Sequence, residues 1–179
     1  DCFLVSESQK TAAWMDEMQI SGSSGITVMN LDTAETTNVS AGAGEKIRAL
    51  GFINEDLIYG LARDEDIVTD TAGNTVFAMY RVCIESFSGE IQKDYQQEGY
   101  YVTDIQVQDG LIELLRVQKT ESGFEEVSSD HIMSNTPSGE ESVIVGFSVY
   151  EPEKTQVVLK FTSSAGTGSL LVLRTQYLE

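Results

Sequence analysis

Basic residues are scarce in this sequence: 11 Lys and Arg stand against 29 Asp and Glu, a formal net charge of −18. A nucleic-acid partner needs clustered cations to displace phosphate counterions, so that class is excluded. The few cations, Lys10, Arg48, Arg63, Arg81, Lys93, Arg116 and Lys119 among them, form no run, which argues equally against anionic membrane surfaces. Histidine occurs once and cysteine twice, too few for a Cys/His zinc site or a disulfide scaffold. No apolar run approaches the ~20 residues that span a bilayer, so membrane insertion of this segment is not expected. A basic stretch followed by an apolar one, the mark of a secretory signal, is missing at the N-terminus. The chain also opens without Met, which leads us to expect a processed piece of something longer.

What is present is ordinary globular composition, 41% apolar and 22% charged over 179 residues, enough for a real core without metals or disulfides. We read residues 1–179 as one domain, with a weak internal boundary in the polar, irregular stretch 134–141. Cys2 and Cys83 each sit in a strand-like apolar run, where free buried thiols are expected. The acidic excess favours solubility, a cation or a basic partner.

Helix signals are thin. Only Glu7 to Met18 has helix-compatible composition, and its apolar positions do not hold a 3.6-residue period. Elsewhere short runs rich in Val, Ile, Phe and Tyr alternate with turn residues. Ile26–Leu31, the longer Thr75–Ile84, Ser142–Tyr150, Gln156–Phe161 and Ser169–Tyr177 all read as strands. Asn54-Glu55-Asp56 and Gln108-Asp109-Gly110 read as hairpin turns, so neighbouring strands are antiparallel. Pro137 and Pro152 fall in loop contexts, as strands needing their amide donors require.

The chain also repeats itself. Ile47-x-x-Leu50-x-Phe52-Ile53-Asn54-Glu55-Asp56-Leu57-Ile58 matches Val102-x-x-Ile105-x-Val107-Gln108-Asp109-Gly110-Leu111-Ile112 in pattern. Val28–Thr33 matches Arg81–Ser86, and Phe147-x-Val149-Tyr150-Glu151 is a weaker third copy. A unit of about 50 residues with four antiparallel strands is the size of a propeller blade.

These repeats resemble bacterial propeller blades of the WD-type, TolB-like and kelch-like style. The stretch Tyr80–Tyr95, followed by Gly99-Tyr100-Tyr101-Val102-Thr103-Asp104-Ile105, resembles propeller-like ectodomains in surface proteins of anaerobic Gram-positive bacteria. The Trp-Asp, Gly-His and Gly-Gly pairs of the better-known repeats are absent. The resemblance implies an all-β, partial or small propeller-like fold of about 3.5 to 4 blades, extracellular or on the cell surface. A β-sandwich is the alternative. Because Cys2–Val5 and Thr11–Trp14 precede the Val28 strand, the chain is expected to start inside a blade. Its open edges could then pair with a second copy as a homodimer.

Chemistry is harder to place. His131, in Ser129-Asp130-His131, lacks a nucleophile elbow and reads as a surface histidine. Asp64-Glu65-Asp66 with Asp70 is the densest oxygen cluster, but calcium-loop spacing is missing and it reads as a solvated loop. Ala41-Gly42-Ala43-Gly44-Glu45-Lys46 lacks the Gly-Lys-Ser/Thr of a phosphate loop. No catalytic residue, metal site or cofactor is assigned. Tyr95, Tyr100 and Tyr101, near Phe87, are the candidate binding residues, because exposed tyrosine suits protein or carbohydrate contact. They could equally line a contact between blades. The reading is a non-enzymatic binding domain, with a carbohydrate-active enzyme domain as the alternative and a purely structural spacer as a third.

Overall fold

The computed structural model describes residues 3–17, 21–69, 73–108, 110–121 and 123–133, and the backbone of strands 143–151 and 154–161. Within these the chain is all-β: apart from one 3-10 turn, every described regular element is a strand, and every strand pairing is antiparallel.

β1 (Phe3–Val5), β2 (Thr11–Met15), β3 (Gly25–Asn30) and β4 (Thr36–Ser40) form a first four-stranded meander in chain order. Cys2–Val5 and Thr11–Trp14, expected to precede a full strand set, supply its first two strands from Phe3 onward. Glu7 to Lys10 is a turn rather than the start of a helix, because β2 is paired on both sides and Ala12 and Ala13 are buried between its neighbours.

β5 (Glu45–Ile53) and β6 (Asp56–Arg63) open the second sheet as a hairpin closed by Asn54-Glu55. Asn54 holds φ 56, a left-handed conformation that asparagine accepts more readily than most residues. The turn Asp64–Asp66 then leads into a small side hairpin, β7 (Ile67–Thr69) and β8 (Thr75–Phe77). The chain returns through β9 (Arg81–Glu85) and β10 (Ile91–Gln96), giving the order β5-β6-β9-β10. The apolar run Thr75–Ile84 is thus two strands, not one. Between them Met79 exchanges two backbone hydrogen bonds of 2.8 Å with Val102, drawing the chain across to the third sheet before it re-enters the second.

That third sheet is β11 (Tyr101–Gln108), β12 (Leu111–Thr120) and β13 (Gly123–Met133). Gly110, at φ 76, completes the tight β11–β12 turn. β14 (Val143–Glu151) and β15 (Lys154–Phe161) form a separate hairpin. The chain divides into compact units at Ser138 and Gly139, inside the stretch 134–141. The expected strand 169–177 and both prolines lie outside the described residues.

Two apolar layers explain why β6 and β9 read as unbroken hydrophobic runs. Leu57, Tyr59, Leu61 and Cys83 face the first sheet, where Ala13, Met15, Ile26, Val28 and Val39 meet them. Ile58, Ala62, Val82 and Ile84 face the other way, onto Val102, Ile112, Leu114 and Ile132 of the third sheet. A strand covered on both faces needs apolar residues at every position, so alternation disappears. A bulge between Ala49 and Gly51 switches sides within β5. Ile47 and Ala49 join the first layer, whereas Ile53 joins the second. The described strands do not close into a barrel or ring.

Candidate functional site

The residue pairs read as repeats fall in the following places. Ile47–Ile58 and Val102–Ile112 fall in the opening hairpins of the second and third sheets; Val28–Thr33 holds the end of β3 and the turn after it, whereas Arg81–Ser86 spans the whole of β9. Phe147–Glu151 lies on β14, whose side chains are outside the described residues.

Of the three candidate tyrosines, two meet on one cation. Arg116, on β12, reaches from the third sheet to the second. Its Nη1 donates to the Tyr95 hydroxyl at 3.2 Å, to Gln97 Oε1 at 2.6 Å and to Asp130 Oδ2 at 3.2 Å. Its Nε donates to the Ser128 carbonyl at 2.9 Å, satisfying the backbone where β12 and β13 lose register. The same guanidinium lies 4.7 Å from the centre of the Tyr100 ring. The Tyr95 hydroxyl donates in turn to Asp130 Oδ2 at 2.9 Å. With its side chain only 9% exposed, Arg116 is the centre of the cluster. Sequence reading passed it over as one scattered cation, although an arginine inside Leu114-Leu115-Arg116-Val117 is a signal that it needs partners.

Burial pushes the Tyr95 hydroxyl above its ordinary range, and the bond to Asp130 adds to this against the opposing pull of Arg116. Asp130 is held below the usual carboxylate range by the backbone N–H of His131 and by Tyr95. Tyr101 is not part of the group: its ring meets Phe124 edge-on at 5.4 Å and 75°. Phe87 is also separate, packed against the first apolar layer, whereas Tyr95 packs against the second.

The Asp64–Asp66 cluster is not a solvated loop. Asp64 and Glu65 face solvent, but Asp66 is fully buried at the head of the side hairpin. Lys119 Nζ donates to its Oδ1 at 2.7 Å, and Arg63 Nη1 stands 3.6 Å from Oδ2, an oxygen without a hydrogen-bond donor. A carboxylate buried this deeply needs cations, and these two supply them from the second and third sheets. Arg63 also covers the Tyr80 ring at 4.2 Å. The Tyr80 hydroxyl, bonded to Glu45 at 2.5 Å, is pushed up to about 12 by burial and by that carboxylate. Asp70 lies outside the described residues, among which no group of three or more His, Cys, Asp or Glu gathers as a metal shell.

His131 stands half-exposed on β13 with Nε2 4.0 Å from Glu113 Oε1, its cross-strand neighbour. Cys83 is a free, buried thiol whose ionisation burial opposes; Cys2 is outside the described residues.

A shallow crevice, too tight to admit a water molecule, runs between the first two sheets. Val28, Val39, Leu57 and Phe87 give it apolar walls, and Glu55 and Glu85 lie along it. Glu55 accepts hydrogen bonds from Ser6 at 3.0 Å, Thr11 at 2.7 Å and Ser8, pinning the β1–β2 turn to the β5–β6 turn. Burial pushes Glu55 up, but these hydroxyls and nearby Lys10 outweigh it and hold the carboxyl below its usual range. Glu85 accepts the Tyr59 hydroxyl at 2.7 Å, and burial with that bond pushes Tyr59 well above the ordinary tyrosine range.

These shifts set a pH dependence. Asp94 is depressed by the bidentate bond from Arg81, and Asp130 and Glu55 are depressed as described. Groups with depressed folded values add stability above their unfolded pKa, about 4, and that stability is lost as pH falls through the folded value. Asp56, raised by burial and by Glu55, acts oppositely and favours mild acid. Acidification from neutrality also relieves repulsion among the excess carboxylates. The melting temperature is therefore expected to rise between about pH 7 and 5 and to fall steeply below about pH 4. A calorimetric series with a flat profile from neutrality down to strong acid would contradict both terms.

No protein-family model, no curated protein and no solved structure matches this chain, so its function is argued from its own residues.

Proposed function

We propose that this chain is a non-enzymatic, extracytoplasmic domain of propeller-like stacked sheets that holds an acidic surface out to a basic protein partner. The architecture supports the scaffold half of this reading. Three successive antiparallel sheets stack face to face through two apolar layers, with β5 lying against β1, β2 and β3 of the first sheet and against β11 of the third. Successive antiparallel sheets following one another in chain order are also how propeller blades are built.

The observation that carries the binding half is where the cations go. Six of the 11 basic residues are drawn into contacts within and between the sheets: Lys46 with Glu17, Arg63 and Lys119 with Asp66, Arg81 with Asp94, Arg116 with Asp130, and Arg48 over the Phe77 ring at 4.1 Å. With these cations engaged as ties and gathered into no basic patch, the chain keeps its formal net charge of −18. Unopposed surface charge of one sign steers an oppositely charged partner and weakens with salt.

An immobilised sample is therefore expected to retain a lysine-rich protein in about 0.05 M salt and release it by about 0.5 M, as screening shortens from beyond 10 Å to a few ångströms. A matched acidic protein should pass through. Retention of neutral glycans, insensitive to salt, would move the assignment to carbohydrate recognition.

The alternative, a carbohydrate-active enzyme, draws its one support from Glu55 and Glu85 sharing a cleft. Glycoside cleavage needs a protonated acid beside a second carboxylate, and Glu55 is held ionised by three hydroxyls. No turnover of aryl glycosides is expected. Turnover abolished by Glu85→Gln with folding intact would overturn the non-enzymatic reading.

A further inference from the structure

We draw no further inference here: the strongest candidate, the exposed apolar end of the third sheet formed by Val107, Leu111 and Met133 beside the outer edge of β13, which has no strand partner among the described residues, carries nothing because nothing in the structure shows what covers it.

Discussion

Replacing Gly60 with valine is expected to remove about 3 kcal/mol of stability, at the upper end of what overpacking a core costs. Gly60 sits in the middle of β6, the strand covered on both faces, paired with Arg48 on one side and Val82 on the other. A Cβ there would stand 2.0 Å from Met79 Sδ, 2.8 Å from its Cγ and 3.3 Å from its Cβ. Three consecutive atoms of one side chain would have to move. Met79 cannot retreat, because it is fully buried and its backbone is held by the paired hydrogen bonds to Val102. The glycine is therefore a requirement of close approach between the second and third sheets rather than of backbone angle.

Trp14, the chain's only tryptophan, lies on β2, so its fluorescence during urea unfolding reports the three-sheet unit. A lowered midpoint at unchanged slope is the expected result. Met79→Ala alone should also destabilise, by about 2 kcal/mol or more through the cavity it leaves. Combined with Gly60→Val it should cost markedly less than the sum, since the new side chain would occupy the vacated space. Additive losses would mean that Met79 does not lie over Gly60.

Arg116→Met is expected to cost about 2 kcal/mol, because hydrogen bonds to charged groups contribute more than neutral ones. The substitution keeps much of the aliphatic stem and removes every polar contact to Tyr95, Gln97, Asp130 and the Ser128 carbonyl. Partial exposure of Asp130 moderates the loss, since water can reach it. Lysine should not rescue, because a single ammonium cannot bond Ser128 and Tyr95 while lying over Tyr100. Tyr95→Phe, losing one hydroxyl, should cost only about 1 kcal/mol.

This series separates two roles for the tyrosines. If they serve the contact between sheets, stability falls in the order Arg116→Met, then Tyr95→Phe, and retention of a basic protein changes little in the folded variants. If Tyr95 and Tyr100 contact a partner directly, Tyr100→Ala should abolish retention while leaving the urea midpoint nearly unchanged. The cation over the Tyr100 ring argues for the first outcome.

Much of the local structure was legible in the residues. Short Val-, Ile- and Tyr-rich runs between Asn, Asp and Gly turns can satisfy their backbone groups only by pairing, and antiparallel pairing follows from such short connections. The acidic surplus, too few cysteines for a disulfide scaffold and the placing of both hairpin turns needed nothing beyond the sequence. What it could not show was which cations leave the surface. Arg116 and Lys119 lie three residues apart on β12, yet Arg116 serves Tyr95 of β10 while Lys119 serves Asp66 at the head of the side hairpin. These partners are distant in sequence, and only stacking one sheet on the next brings them within bonding distance.

The same reason accounts for the misread segments. Thr75–Ile84 holds no Gly, Pro, Asn or Asp, so no turn residue marks the break at Ala78–Tyr80, where Met79 bonds Val102 in another sheet. Asp66 shares a polar triplet with two exposed neighbours, and its burial is set by Lys119 and Arg63. Strand formation and surface charge are properties of neighbouring residues, which the sequence alone decides. The partners of a buried charge are set by long-range packing, and here that belongs to the tertiary structure.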